Sequence, residues 1–478
     1  MGEPRQARQY GGDGNSLSRP ADAERRKASP RPPLTAGPQE PSGDETVRDP
    51  HGDLVRIPDG PSEAFDSTED LLSWMSENSA RYGDIFKASV LGSDVYVVGK
   101  PEYCERILRS NWLNYPRKGL VARRIALLLG NGLIAANGEF WASQRRMIQP
   151  AFSKTSIIGH TGLMTRINRE LLAKWKQAAQ HGEAVNVTRD LRSMVLKVTL
   201  VALFGDDFPV IEPHASILAE EAARDLNLVN ATRPLHSVIL QIAEKRHRDG
   251  VDASDFLGIM MRGRERDRGS PMSNAQLARE AMTLVVAGHE TTASLLNWLW
   301  YLLSRHEAVR TKLEEELDRL PWDDAISFGS LTRYTYTRRV IEEALRLYPP
   351  VWLMTRRAEK DDQLGEFFVP AGTEIFISPY LIQRSPSFWE APEQFDPDRM
   401  TAEPGDDRAE LALCPFGAGP RRCIGELFSR VETQIHLMLF AKELRLQYAE
   451  VQPAAFHAGV NLLSKDDFYM HPELRPRI

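Results

Sequence analysis

The chain has 478 residues, with 60 basic and 66 acidic side chains and a formal net charge of -6. This weakly acidic balance argues against nonspecific binding to nucleic acid. Three scattered cysteines argue against a disulfide framework and favour a reducing compartment, so we expect a cytoplasmic protein.

The first part of the chain differs in composition from the rest. Residues 1–60 are rich in proline, glycine, serine and alternating charge, which predicts a disordered tail. Residues 61–478 contain no linker-like break, so we expect them to form a single domain and a monomer. No apolar run is long enough to span a bilayer, which predicts a protein without a membrane anchor.

Helical periodicity dominates the chain after residue 67. It predicts helices over 68–82, 159–180, 188–204, 214–229, 234–247, 273–305, 334–347 and 424–441. Alternating patterns predict one hairpin over 84–98, with a Gly-Ser-Asp turn, and a second within 366–378. The expected fold class is therefore mainly α with small β-sheets.

A Trp-x-x-x-Arg pattern occurs at Trp141 and Arg145. On a helix these side chains lie one turn apart, so the indole N–H and the guanidinium could both donate to one carboxylate. The pattern alone has low specificity.

The long helix predicted over 273–305 carries the sequence AGHETT at 287–292. Glycine and paired threonines lower helix propensity, while Ala287 and Thr291 place small side chains on one face. Glu290 adds a titratable proton source, and Thr291 adds a hydroxyl that can donate and accept. The alternative interpretation is a kink that serves helix packing only.

Cys423 follows the glycine-rich segment FGAGPRR and precedes a predicted helix. A thiolate there would be stabilised by the helix N-terminus, by backbone N–H groups and by arginine charge, and Arg421 could reach a carboxylate of a bound ligand. The alternative is a buried structural thiol. A closed zinc site is not expected, because no CxxC or HxxxH pair accompanies Cys423.

The pattern Phe416-x-x-Gly419-x-Arg421-x-Cys423-x-Gly425 resembles the haem-binding signature of the cytochrome P450 family at every defining position. The two motifs above and a Glu-x-x-Arg pair at Glu343 resemble the same family in the expected order. The resemblance extends from about residue 65 to the end of the chain. It implies the cytochrome P450 fold and haem b, with Cys423 as the iron ligand.

The resemblance also assigns roles to individual residues. It implies Glu290 and Thr291 as the catalytic acid-alcohol pair, and Glu343, Arg346 and Arg399 as a buried structural network. Without the other motifs, a Glu-x-x-Arg pair would be interpreted as a surface ion pair of little energetic value. The implied cofactor-binding set is Trp141, Arg145, Ala287, Arg356, Phe416, Gly417, Arg421, Cys423 and Gly425. Family members often have histidine at the position of Gln144, so whether a third side chain contacts the propionates stays open. If the segment around Arg356 is a strand, Arg357 faces the opposite way and only one of the two can bind the cofactor.

The resemblance implies a monooxygenase that activates dioxygen and hydroxylates an apolar small molecule, of the soluble bacterial kind, in secondary metabolism. Substrate contacts are expected at 127–133, 285–287, 351–354 and 460–463, and terpenes, fatty acids, polyketides and aromatic compounds stay open. The stretch over 208–243 is short for the family's lid, which predicts an open entrance.

Electrons would come from a ferredoxin and a ferredoxin reductase with NAD(P)H. A basic face at Arg145, Arg146, Arg421 and Arg422 could receive the ferredoxin. The alternatives are a haem-thiolate peroxygenase or isomerase, whose relatives tend to lack the acid-alcohol pair, and a noncatalytic haem-binding sensor.

Overall fold

The computed structural model describes residues 57–476 apart from 66–69, 120–121, 124–125, 127–129, 220–226, 264–268, 322–325, 402–410 and 451. The described residues belong to one compact unit, Thr46–Ile478. The predicted tail lies almost entirely outside the described residues.

Helices make up most of the described chain, which confirms the predicted fold class. Their bounds are α1 Leu71–Tyr82, α2 Pro101–Glu105, α3 Gly138–Ile148, α4 Lys154–Gly159, α5 Thr161–His181, α6 Val187–Phe204, α7 Phe208–Ala215, α8 Asn227–Asp249, α9 Phe256–Arg262, α10 Asn274–Arg305, α11 Glu307–Arg319, α12 Phe328–Leu331, α13 Thr335–Leu347, α14 Pro379–Ile382 and α15 Glu426–Glu443. No described helix has both the length and the apolarity that a membrane crossing requires.

One predicted helix, 214–229, is not continuous: residues 214–215 end helix α7 and 227–229 begin helix α8, but the described residues 216–219 between them are not α-helical. Helix α7 ends at Ala215, and a 3-10 turn over Ser216–Leu218 follows it. Pro213 lies inside α7 and has no N–H to donate, which weakens continuation of the helix. The other predicted helices are found, although α8 begins at Asn227, ahead of its predicted start.

The strands are short and form four sheets. Their bounds are β1 Ile85–Val90, β2 Ser93–Val98, β3 Val185–Asn186, β4 Met354–Arg357, β5 Asp362–Leu364, β6 Phe367–Val369, β7 Glu374–Ile377, β8 Leu444–Tyr448, β9 Phe456–Ala458, β10 Leu462–Ser464 and β11 Tyr469–Leu474. The sheet orders are β1-β2-β7-β4, β3-β11-β8, β5-β6 and β9-β10.

The structure corrects both predicted hairpins in detail. In the first, β1 and β2 pair antiparallel with Val90 opposite Ser93, so the turn is Leu91-Gly92, and both residues have positive φ. The second hairpin is wrong, because β6 pairs with β5 whereas β7 pairs with β2 and β4. Strand β7 is buried at all four positions and is a central strand, which its apolar run permits.

Helix α10 passes through the centre of the fold and supplies one wall of the site. Ser273 caps its start, since the hydroxyl accepts the Gln276 N–H. A Cβ added at Gly288 would lie 3.3 Å from Cγ2 of Thr199 on α6, so this glycine lets the two helices approach closely. On another face, the hydroxyls of Thr292 and Ser429 are 3.0 Å apart, which joins α10 to α15.

Glu432 on α15 is fully buried, and neither carboxyl oxygen has a hydrogen-bond partner among the described residues. Burial raises its pKa well above the usual 4.5. The folded protein therefore keeps a proton that the unfolded chain releases above about pH 4.5, so this group lowers the free energy of unfolding as pH rises through that window.

We expect Glu432→Gln to remove this pH dependence. The stability of the variant relative to wild type should increase between pH 5.5 and pH 8, by up to about 1.4 kcal/mol per pH unit. Denaturant unfolding at the two pH values measures it. Glu443→Gln, at the exposed end of the same helix, is the control and should shift stability equally at both pH values. A pH-independent difference for Glu432→Gln would contradict the argument.

Candidate functional site

The loop before α15 folds back on itself and presents Cys423. The Cys423 N–H donates to Phe416 O at 2.9 Å, and the Gly417 N–H donates to Cys414 O at 2.9 Å. Gly417 and Gly419 have φ of 70° and 66°, the left-handed region that glycine adopts without strain. Cys423 therefore lies three residues before the start of α15, close to the position that the sequence predicts.

Gly419 has an additional reason to be glycine, because a Cβ there would lie 1.9 Å from the backbone oxygen of Leu108. We expect Gly419→Ala to lose at least about 2 kcal/mol of stability and most of its cofactor. Gly182→Ala is the matched control, since Gly182 has φ of 68° with no atom within 4 Å of its added Cβ. Thermal unfolding and the haem-to-protein absorbance ratio measure both effects; equal losses in the two variants would contradict the clash.

The Cys423 thiol is accessible to solvent, whereas Cys104 and Cys414 are buried. Burial nevertheless raises its pKa above the usual value, because the sulfur lies deep among protein atoms. The Gly425 N–H and the guanidinium groups of Arg145 and Arg117 favour the thiolate and offset part of that effect. The stabilising groups that the sequence predicted are present, but in the protein alone desolvation outweighs them. A metal ion would displace the thiol proton.

Four arginine side chains converge beside Cys423: Arg117, Arg145, Arg356 and Arg421. Burial, and then repulsion from Arg117, lowers the pKa of Arg356 to about 9. Burial, with repulsion from the other three arginines, lowers the pKa of Arg421 to about 8. Among the described residues, none of the four has a carboxylate partner; they donate to carbonyl oxygens of Ile134, Arg422, Thr355 and Ala136 and to the Gln149 side chain.

A cluster of one buried and three half-buried cations, without carboxylate partners among the described residues, indicates a site for an anionic ligand. The two propionates of haem supply two carboxylates, so the observed donors fit this cofactor. Sequence reasoning missed Arg117, which follows the Tyr115-Pro116 pair and carries no motif. Arg356 is buried and Arg357 is not, as expected for neighbours on strand β4.

Trp141 on α3 lies within this arginine cluster. Its indole ring lies 4.4 Å from the Arg421 guanidinium and packs edge-on against Trp112. On the same helix, Gln144 is buried and its side-chain oxygen has no partner among the described residues. The Gln144 side-chain oxygen, next in the chain to Arg145, is thus a further buried polar atom without a hydrogen bond. In the cytochrome P450 family, a histidine is common at this position.

Glu290 and Thr291, the predicted acid-alcohol pair, lie on α10. The Thr291 hydroxyl donates to Ala287 O at 2.9 Å, which places it on the helix face that carries Ala287. Glu290 accepts a hydrogen bond from the Asn461 side chain. His289 is buried, with its ring nitrogens 3.0 Å from Val285 O and 3.3 Å from Leu218 O, so both nitrogens are occupied by backbone.

Glu343 and Arg346 form a fully buried bidentate pair on α13, with both N···O distances at 2.8 Å. Arg399 Nε lies 3.1 Å from Glu343 Oε1, and the Asp396 N–H donates to the same oxygen at 3.0 Å. The remaining Arg346 donors bind three carbonyl oxygens, those of Gln383, Pro392 and Gln394. Every charge in the network is hydrogen bonded, as burial requires.

Gln383 connects this network to the cysteine loop. Its side-chain N–H groups donate to Leu345 O and Arg346 O, and its side-chain oxygen accepts the Cys414 N–H at 3.0 Å. Cys414 O in turn accepts the Gly417 N–H. Sequence reasoning missed Gln383, which belongs to no recognisable pattern.

Two of the predicted substrate segments adjoin each other beside α10, and a third contacts the same helix at another point. Trp352 Nε1 donates to Gly459 O at 2.8 Å, so the segments 351–354 and 460–463 adjoin. Ser294 Oγ donates to Leu462 O at 2.6 Å, which attaches the second of them to α10. The segment 127–133 is described only from residue 130, and the Leu133 N–H donates to Glu280 on α10. The open entrance stays a prediction, because 220–226 lie outside the described residues.

The comparisons with known proteins agree with this geometry. The family model for cytochrome P450 matches residues 63–238 and 217–471. Cyclooctatin synthase of Streptomyces melanosporofaciens is 30% identical over 77% of this chain and 83% of its own length. Pentalenene oxygenase of Streptomyces avermitilis is 29% identical over 80% of this chain and 89% of its own length. A solved cytochrome P450DA heme domain matches with a TM-score of 0.77, 22% identity, and coverage of 88% of this chain and 98% of that one, which confirms the predicted fold.

Proposed function

Because this chain belongs to the cytochrome P450 family and is a haem-thiolate monooxygenase, we propose that it oxidises a terpenoid hydrocarbon with electrons from a ferredoxin. The observation that carries the proposal is the combination of an accessible Cys423 thiol with four clustered arginines, Arg356 buried and the other three half-buried, that lack carboxylate partners among the described residues. We place the reaction in bacterial secondary metabolism, in a cytoplasmic monomer.

The cofactor would be held by residues of four segments. Cys423 would bind the iron, and the arginine cluster with Trp141 would bind the propionates. Gly425 leaves room beside the sulfur, since a Cβ there would lie 4.0 Å from it, and a Cβ at Gly417 would instead contact Met354 Sδ at 3.5 Å. The Phe416 ring, with the Arg430 guanidinium 4.8 Å from it, would shield the loop from water. When bound, thiolate-ligated haem supplies dioxygen activation and O–O bond cleavage.

The protein's own residues would supply protons and a dry, shaped cavity. Ala287 leaves space on the face of α10 that carries the Thr291 hydroxyl. That hydroxyl can release the Ala287 carbonyl and donate to a ligand or water instead. Glu290 lies one residue away and can exchange protons with water.

Thr291→Ala tests this assignment. We expect the variant to consume NADPH at a comparable rate while about tenfold more of the electrons end in hydrogen peroxide, because the ordered donor is lost. Peroxide released per NADPH consumed is the measurement, and Thr292→Ser is the control, because it keeps the hydroxyl that contacts Ser429. An unchanged peroxide fraction in Thr291→Ala would remove this residue from the proposed relay.

The substrate class is inferred from the apolar segments that we expect to contact substrate and from the relatives. Leu133 and Val285 are buried, and Val460 is exposed at its turn; all three are apolar. Apolar walls favour a hydrocarbon. Pentalenene is a fused-ring terpene, and the relative named for it matches most of this chain.

The ferredoxin would approach the side of the protein that carries α3 and the cysteine loop. Arg146 is exposed there, whereas Arg145 and Arg421 bond inward and Arg422 pairs with Glu426. Of the four arginines predicted to form a basic docking face, Arg146 is therefore the one whose charge is most available to a ferredoxin.

Turnover of a small panel tests the proposed function. Pentalenene, β-carotene and lauric acid would each be incubated with the protein, spinach ferredoxin, its reductase and NADPH, and products would be identified by mass spectrometry under ¹⁸O₂. We expect one labelled oxygen in a terpenoid product and little conversion of lauric acid. Preferred labelling of lauric acid would overturn the substrate class, and unlabelled products would overturn oxygenation.

A further inference from the structure

The turn between β9 and β10 lies against α10 and reaches the acid of the acid-alcohol pair. The Asn461 side-chain N–H donates to Glu290 Oε2. Asn461 is 8% exposed and Glu290 is half-buried, so this contact is partly shielded from bulk water. It is the one hydrogen bond to the Glu290 carboxylate from within the described part of the chain.

Strand β10, which follows this turn, is attached to α10 at two further points along one helix face. Ser294 Oγ donates to Leu462 O at 2.6 Å, and Trp298 Nε1 donates to the same oxygen at 3.3 Å. Residues 290, 294 and 298 are one helical turn apart, so they form one row. Two of the three contacts fix the strand, and only the contact of Asn461 involves a titratable group.

The turn is also fixed from the opposite side. Leu462 N–H donates to Pro350 O at 2.8 Å, and Gly459 O accepts the Trp352 indole N–H at 2.8 Å. The backbone on both sides of Asn461 is thus held by hydrogen bonds, one from a backbone N–H and one from an indole N–H, which restricts the positions that its side-chain amide can take. A carboxylate bound through one oxygen to a rigid donor keeps one orientation and leaves its second oxygen free to exchange a proton.

Val460 lies beside Asn461 in the turn and is 73% exposed, which is unusual for a large apolar side chain. It belongs to a segment that we expect to contact substrate. A molecule that contacts Val460 therefore acts on the same short turn that orients Glu290.

We propose that Asn461 is a positioning residue, which holds the Glu290 carboxylate in place for proton delivery and links it to the substrate-contacting turn. This proposal rests on the proposed function. Asparagine has no titratable proton, so Asn461 supplies no proton itself and acts only through Glu290. Its loss should therefore change the proton-dependent rate and leave cofactor binding intact.

The test compares Asn461→Ala with Ser294→Ala, a control that removes a hydrogen bond to the same strand without contacting Glu290. The rate of NADPH-driven dioxygen consumption is measured in H₂O and D₂O with spinach ferredoxin and its reductase. Each turnover to peroxide joins O₂, NADPH and H⁺ into H₂O₂ and NADP⁺, so protons are required whether or not a substrate is oxidised. We expect Asn461→Ala to be about tenfold slower with a larger solvent isotope effect, and Ser294→Ala, in which Trp298 still donates to Leu462 O, to stay within about twofold of wild type.

Two further variants separate positioning from a structural role. Asn461→Asp places a second carboxylate against Glu290, so its rate should be lower at pH 8 than at pH 6, where the pair can share a proton. In a Glu290→Gln background, Asn461→Ala should cause no further slowing. Thermal unfolding of wild type, Asn461→Ala, Glu290→Gln and the double variant measures the contact independently of turnover. The stability losses of the two single variants should not add up in the double variant.

The outcomes distinguish this inference from the function on which it rests. Wild type that consumes no dioxygen would overturn the proposed function and this inference with it. Active wild type with Asn461→Ala indistinguishable from Ser294→Ala would overturn the inference alone. If the double variant is slowed by the combined effect of Asn461→Ala and Glu290→Gln, the inference alone is overturned as well.

Discussion

Replacing Cys423 by alanine should abolish the red-shifted absorption band of the reduced carbon monoxide complex and reduce oxygenation below detection. The band reports a thiolate bound to the iron, and Cys423 is the only accessible cysteine of the three in the chain. Without the sulfur, dioxygen cleavage loses the electron density that the thiolate supplies. The measurement is a difference spectrum after dithionite reduction.

The matched control is Cys414→Ala. Cys414 lies in the same loop, and burial raises the pKa of its thiol to about 12, so it is a poor ligand. Its contact with Gln383 is made by backbone N–H and survives the substitution. We expect Cys414→Ala to keep the band, and a band that persists in Cys423→Ala would overturn the central assignment.

Replacing Glu343 by glutamine should cost about 3–5 kcal/mol of stability, because Arg346 would keep its charge in a fully buried position without a full counterion. Through Gln383, the disturbance would reach the backbone of Cys414, so haem retention should fall as well. The measurements are denaturant unfolding and the haem-to-protein absorbance ratio of the purified protein.

Glu170→Gln is the control for the chemical change itself. Glu170 pairs with Arg166 and Lys197 but is 47% exposed, and surface pairs of this kind contribute at most about 1 kcal/mol. Should Glu343→Gln fail to fold, Arg399→Lys offers a milder change at the edge of the network, where the side chain is 13% exposed. Equal losses for Glu343→Gln and Glu170→Gln would show that burial does not matter here.

Local patterns in the sequence were sufficient for the helices and for the cysteine loop. The period of apolar residues identifies α10 and α15, because a buried helix face must repeat every three to four residues. The positive φ values of Gly417 and Gly419, and the close approach of Gly419 to Leu108, reflect a backbone that must turn tightly before Cys423.

Strand partners were less predictable, because pairing joins residues that are distant in the chain. Strand β7 reads like half of a hairpin, yet its neighbours are β2 and β4. Residue pattern indicates that a strand is buried on both faces, but it does not identify the strands on either side.

By itself, the sequence determined the family, the cofactor and the order of its motifs, because each motif is a short run with a local backbone requirement. Only the tertiary structure decided that Arg117 joins the arginine cluster, that Gln383 connects the buried ion pair to the cysteine loop, and that Asn461 reaches Glu290. Each of these contacts joins residues more than twenty-five positions apart. Hydrogen bonds at that separation depend on how the elements assemble, and no local pattern records them.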